Sequence, residues 1–311
     1  MASETSGVSM SEYDRIKRLQ PAEHPVEIVL DTDTYNEIDD QFALVYALCS
    51  NAIDVSAVYA APFDNDRSDG PGHGMELSYE EIHRVFDRLG YSDTEDFVFR
   101  GTTEFMNAAG TSIENPATSD LIERARDRDE EDPLYVVAIG APTNVSLAIE
   151  QEPDIIDNIV VLWLGGHPHS WHTAWEFNLR QDIAASQTLF DSGVPFIQFP
   201  CKNVAEHIRT TVPELEHYLG DGGPTSQYLL EIFTQYGERY DADAWAKEIW
   251  DLAPLAYLVN PEWVPTHLTH SPLLSDDFRH SHDPTRHLMR VARDVDRGQI
   301  FDDFFDTLDG R

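Results

Sequence analysis

The stretch Glu27-Ile28-Val29-Leu30-Asp31-Thr32-Asp33, followed by Asp39-Asp40-Gln41-Phe42-Ala43-Leu44, constrains this chain more than any other. An apolar run suited to a buried strand ends in two carboxylates. Two more open a stretch with Ala43, Leu44, Ala47 and Leu48 on one helical face. Acids packed this closely between a strand and a helix repel one another unless a cation sits among them. The pattern therefore reads as a hard-metal site at the carboxyl end of a strand in an α/β sheet. Helix capping, worth about 1 kcal/mol, accounts for Asp39 or Asp40 but not for Asp31 and Asp33 as well.

The rest of the pattern supplies that sheet. Strand-like runs at 26–30, 53–61, 97–100, 134–139, 159–164 and 194–199 alternate with helical periods at 39–49, 77–89, 143–151 and 182–191. The stretch 64–74 is a loop full of breakers. Residues 212–259 read as mostly helical, and a strand near 287–291 and a helix near 301–308 close the chain. This alternation predicts an α/β fold: one domain, 25–311, with a mainly parallel, doubly wound, Rossmann-like sheet and extra C-terminal helices. Residues 1–24 are polar, lack a period, and read as a loose arm.

Charge narrows the partners. The chain carries 57 acidic residues against 21 basic ones, a formal net charge of −36, and its only lysines are Lys17, Lys202 and Lys247. Such a surface repels nucleic-acid phosphate and anionic lipid, so neither nucleic acid nor membrane is an expected partner. Acids spread along the whole chain suit a halophilic protein, because salt at 1 M screens charges over roughly 3 Å. Cys49 and Cys201 both lie in apolar surroundings and read as buried free thiols. No apolar run reaches membrane-spanning length, and the N-terminus holds Glu4, Glu12 and Asp14, so the expected location is cytoplasmic.

With the acids already named, four sites fall at expected strand or helix ends; the other three are Gly140-Ala141-Pro142-Thr143-Asn144, Glu176-Phe177-Asn178, and Trp250-Asp251 before the apolar run Leu252-Ala253-Pro254-Leu255. Taken in order, they resemble the nucleoside hydrolase family, calcium-dependent N-ribohydrolases of the inosine–uridine type. The family opens on Asp-x-Asp-Pro-Gly-x-Asp-Asp, matched in its acids by Asp31, Asp33, Asp39 and Asp40. Its Gly-Pro-Leu-Thr-Asn turn is similar to the segment ending Thr143-Asn144, and its Glu-Phe-Asn recurs as Glu176-Phe177-Asn178.

The resemblance implies Ca²⁺ held by Asp33, Asp40, Asp251 and the backbone carbonyl of Thr143, an oxygen donor set that calcium prefers. It further implies a water acidified by the metal, with Asp33 as general base, and hydrolysis of a ribonucleoside or related N-riboside to ribose and free base. Asp39, Glu176 and Asn178 would grip ribose hydroxyls, and Asp31 would support the loop from behind. Asn65 stands for an asparagine that the family places after its second strand. A homodimer or homotetramer is the expected assembly.

Departures concentrate on the base side. The family's Pro-Gly-x becomes Thr34-Tyr35-Asn36-Glu37-Ile38, two residues longer, and adds Glu37 as a possible ligand. Trp250 stands where relatives carry a histidine that protonates the leaving base. That leaves His169 or His172 as the acid, and Trp171, Trp175 or Trp250 to stack on the base.

Two alternatives compete. The run Leu30-Asp31-Thr32-Asp33-Thr34 also resembles the opening of haloacid-dehalogenase-type phosphatases, with Asp31 as nucleophile. A non-catalytic nucleoside- or ribose-binding protein would keep the metal site without turnover.

Overall fold

Strand β1 (Val26–Thr32) is buried at nearly every position, as expected of a central parallel strand covered on both faces. Strands β2 (Ile53–Ala60), β3 (Val98–Arg100), β4 (Leu134–Ala138), β5 (Ile159–Leu164) and β6 (Phe196–Phe199) join it. They form an eight-stranded sheet in the order β3, β2, β1, β4, β5, β6, then Leu288–Ala292 and Thr266–His270. All neighbours run parallel except the last two strands, which pair antiparallel. This computed structural model describes residues 10–309 apart from 93, 110–112, 130 and 243.

The chain builds outward from β1 through β2 to β3, then returns to lay β4 on the other side of β1. The carboxyl ends of β1 and β4 thus flank the topological switch point, where open α/β sheets bind ligands. Asp31 pairs in register with Ala138, so the β1 acids and the Gly140 turn lie side by side.

Helix α1 (Glu12–Arg18), α2 (Asp39–Cys49) and α3 (Pro71–Leu89) belong to one half of the structure, and α2 packs on Leu252–Val259 and Arg297–Asp309. Phe42 stacks on Phe304 at 5.8 Å within that face's core. The opposite face packs Thr143–Gln151 and Ile183–Asp191 over the sheet, with Phe190 of the second helix against Trp163 and Phe196.

Two expectations are corrected. The arm expected over 1–24 is ordered from Met10 onward. Ser11 caps α1 by accepting from the Asp14 amide, Leu19 is fully buried, and Arg290 donates to the Leu19 carbonyl at 2.6 Å. Residues 1–9 of that arm lie outside the described residues. Helix α3 starts within the breaker run, because Pro71 at the first turn lacks only an N–H that a helix start does not use. Gly74 is required there by close approach: a Cβ would stand 2.0 Å from the Phe63 carbonyl oxygen.

Candidate active site

A cleft of about 780 Å³ opens at the switch point. Its floor is the turn after β1 and the first turn of α2. Asp33, Asp39 and Asp40 are 1%, 3% and 2% exposed, and Asp251, which caps Leu252–Val259, is 3% exposed. Oxygens of Asp39, Asp40 and Asp251 lie within 4.8 Å of one another, a spacing one cation could bridge. Among the described residues this is the one acid or imidazole group so arranged. Asp33 faces the same cluster, and neither of its carboxylate oxygens receives a hydrogen-bond donor. An unsatisfied carboxylate so fully buried costs far more than a normal hydrogen bond returns, and a hard cation would remove the cost.

The supports around this cluster are specific. Thr32 donates to Asp40 at 2.6 Å, and Asn144 donates to Asp31 at 2.7 Å while accepting from the Thr102 amide. Asp31 therefore sits behind the cluster and braces β1 against the turn after β4. Gly140 permits that closeness, since a Cβ there would lie 3.0 Å from the Asp33 carboxyl carbon.

Burial raises the Asp31 carboxyl to about 7 against the pull of Asn144. Asp33 is raised by burial and then by the charges of Asp40, Asp39 and Asp31, and Asp251 by burial and then by the charges of Asp39, Asp40 and Asp33. Asp39 is raised by burial, opposed by Lys247.

These shifts fix a sign. A carboxyl whose folded pKa is raised favours the fold when protonated; that stability is complete below about pH 4 and is lost as pH rises through the folded value. Metal-free protein should therefore lose Tm between pH 5 and 8, by about 5 °C or more, and saturating Ca²⁺ should flatten the slope to the share of Asp31. Thermal melts in concentrated KCl, which screens the surface charge, check this. A metal-free Tm independent of pH would contradict it.

Glu176 caps Phe177–Gln181. It accepts from the amides of Asn178, Leu179 and Gly166 at 2.8–3.1 Å, which leaves lone-pair capacity toward the cleft. Asn178 spends its amide nitrogen on the carbonyls of Ile139 and Leu164, at the ends of β4 and β5. Asn65 ties the loop after β2 to Asn36 at 2.7 Å, and Trp250 lines the wall, its backbone amide donating to Asp39.

The structure thus gathers Asp33, Asp39, Asp40, Asp251, Glu176, Asn178, Asn65 and Trp250 around one space. Thr143 does not line it, and its hydroxyl donates to Asp182 at 3.0 Å. His169 is also set apart. It bonds Gln198 at 2.8 Å, packs 4.8 Å from the His280 ring, and burial lowers it to about 4, so it is neutral and turned into the wall. His167 lines the cleft instead; burial lowers it too, and its Nδ1 has no partner. Trp171 and Trp175 do not reach the cleft, and Trp175 packs on Phe278.

Sequence reading missed Lys247, which is 5% exposed, 2.6 Å from Glu37 and 3.6 Å from Asp39. Tyr236 also donates to Glu37. The added glutamate is thereby held as a carboxylate: burial raises it, but Lys247 and Tyr236 outweigh burial and leave it below its ordinary value. It pairs with a lysine and is no spare metal ligand. The one signal in the sequence was a rare lysine in the aromatic run Trp245–Trp250.

Comparisons agree with this architecture. The plant nucleoside hydrolase PpNRh1 superposes with a TM-score of 0.71 at 21% identity, over 91% of this chain and 99% of that one. A purine-preferring ribonucleoside hydrolase from Gardnerella vaginalis gives 0.72 at 21%, over 91% and 98%. The pyrimidine-specific ribonucleoside hydrolase RihA of Escherichia coli O1:K1 is 24% identical, over 76% of this chain and 80% of its own length. The family model described as inosine-uridine preferring nucleoside hydrolase matches residues 74–304, beginning after the unusual loop 34–38. That match does not fit a haloacid-dehalogenase-type phosphatase. The chain belongs to the inosine-uridine preferring nucleoside hydrolase family and is an enzyme that hydrolyses the N-glycosidic bond of ribonucleosides.

Proposed function

We propose that the enzyme is calcium-dependent and that its catalytic centre is the acid cluster at the end of β1. The observation that carries this is Asp33, buried without a donor on either oxygen beside Asp39, Asp40 and Asp251. All the donors are carboxylate oxygens, a hard set that fits Ca²⁺ better than zinc or copper. Asp33, Asp40 and Asp251 would hold the ion, and the family resemblance adds the backbone carbonyl of Thr143, whose hydroxyl is bonded to Asp182. A bound calcium ion would supply charge compensation and make a neighbouring water more acidic.

The protein's own groups then divide the work. Asp33, otherwise unpartnered, takes the proton from the attacking water. Asp39, Glu176 and Asn178 hold the ribose hydroxyls, and the backbone amides on Glu176 fix its orientation before substrate arrives. Water adds at the anomeric carbon, the bond to the base nitrogen breaks with its electron pair, and the base takes a proton. Trp250 offers a flat face to that base. No histidine but His167 lines the cleft among the described residues, which favours leaving groups that need little protonation. The relatives' names divide between pyrimidine and purine, so the base is not carried over from them. The acidic surface supports work in high salt. No helix among the described residues is long and apolar enough to cross a membrane. We assign the protein to the cytoplasm as a homo-oligomer.

Release of ribose and free base in equal amounts from uridine or inosine, in roughly 2–3 M KCl with Ca²⁺, is the expected result. The matching 2′-deoxynucleoside should react at least about a hundredfold more slowly, because the grip on the 2′-hydroxyl is lost. Equal rates for the two sugars would reject the ribose assignment.

A further inference from the structure

A second cavity, of about 460 Å³, adjoins the cleft and shares Arg67, Tyr236 and Arg239 with it. Four arginines line it, Arg67, Arg84, Arg88 and Arg239, against two glutamates, Glu81 and Glu231. Glu81 is buried and already engaged by Arg84 and Tyr228. Nearby Glu37 is taken by Lys247 and Tyr236. The chamber therefore keeps a surplus of positive charge in a chain of net charge −36.

The other three arginines line the chamber together without a carboxylate partner among the described residues. Arg100, Arg124, Arg126 and Arg297 each hold a carboxylate, as acids in such excess would lead one to expect. Among the described residues, Arg67, Arg88 and Arg239 hold none. Arg67 donates to the carbonyls of Asn36 and Glu37 and lies 4.2 Å over Tyr35. Arg88 and Arg239 lie over Tyr228 and Tyr236 at 5.5 and 4.6 Å. Stacking on an aromatic face orients a guanidinium and leaves N–H edges for an oxyanion. The cleft alone is large enough for a neutral nucleoside, so the side chamber is additional room.

We propose that this chamber binds an anionic group carried by the riboside, a phosphate or a carboxylate, so that the preferred substrates are anionic ribosides. The inference rests on the reading of the cleft as a ribose site. Total charge argued against phosphate recognition, but binding follows the local charges, and here four arginines gather against two glutamates. A cation-holding acid cluster beside an arginine chamber suits a ligand with a neutral sugar and an anionic extension.

Calorimetry with Ca²⁺ present tests it on wild type, Arg88→Glu and Arg88→Ala, comparing ribose 5-phosphate with ribose and orotate with uracil. The expected result is that one anionic ligand binds wild type at least tenfold tighter than its neutral partner. A gain for ribose 5-phosphate places the anion on the sugar, and a gain for orotate places it on the base. Arg88→Glu should erase that gain and Arg88→Ala reduce it, with neutral-ligand binding and neutral-nucleoside turnover changed less than twofold. No gain in wild type for either pair, or a gain undiminished in both variants, overturns the proposal. Absence of turnover on every riboside would sink the hydrolase reading instead, and the binding comparison would still decide the chamber.

Discussion

Asp33→Asn should lower kcat/KM by at least about a thousandfold and at the same time raise the Tm of the metal-free protein. The two effects share one cause. Asp33 is fully buried, lacks a donor on either oxygen, and faces Asp39, Asp40 and Asp251. Asparagine keeps its volume but removes both the proton acceptor and one of the repelling charges. A residue kept for packing would show the opposite pattern, with activity spared and stability lost. Steady-state kinetics and melts on the same preparation check it, with activity expected to fall and Tm to rise. A variant as active as wild type would remove Asp33 from the chemistry.

The second large effect is expected at Lys247. Its ammonium group is buried between Glu37 and Asp39, at 2.6 and 3.6 Å. Lys247→Met preserves the stem and deletes the charge, leaving two carboxylates without their cation. Breaking a buried pair costs about 3–5 kcal/mol; because the Glu37 side chain is 37% exposed, solvent screens that half and the lower end applies. The metal-free variant should therefore melt several degrees below wild type. Added Ca²⁺ should raise its Tm by more than it raises wild type's, since the cluster has lost its built-in counter-charge and the ion sees a more negative field. A smaller calcium shift in the variant would mean that Lys247 helps build the metal site instead of offsetting it.

What the sequence disclosed and what it hid follow from the range of each signal. Asp31, Asp33, Asp39 and Asp40 lie within one strand–turn–helix, where spacing alone places them, and the alternating periods identified β4 and β5, of which β4 lies beside β1. Glu176 and Asn178 were legible because their motif is short and follows a buried strand. His169 was misplaced because a loop's spacing does not say which side chain turns inward; Gln198 and His280 decide that, and both come from other elements. Lys247 and the arginine chamber were hidden for the same reason. Arg67, Arg88 and Arg239 come from the loop before α3, the end of α3 and the turn after Pro224–Gly237, and only the fold brings them together. Helix α1 escaped because its burial depends on docking against Leu288–Ala292, not on a period of its own.

The most direct test of the central claim is to strip the enzyme of divalent ions and follow ribose release from one nucleoside as Ca²⁺ is returned. Activity should be negligible in chelator and should rise with about one ion bound per chain, in step with the gain in Tm. Full activity in the stripped enzyme would contradict the account, because the acid cluster at the end of β1 would then have some other purpose.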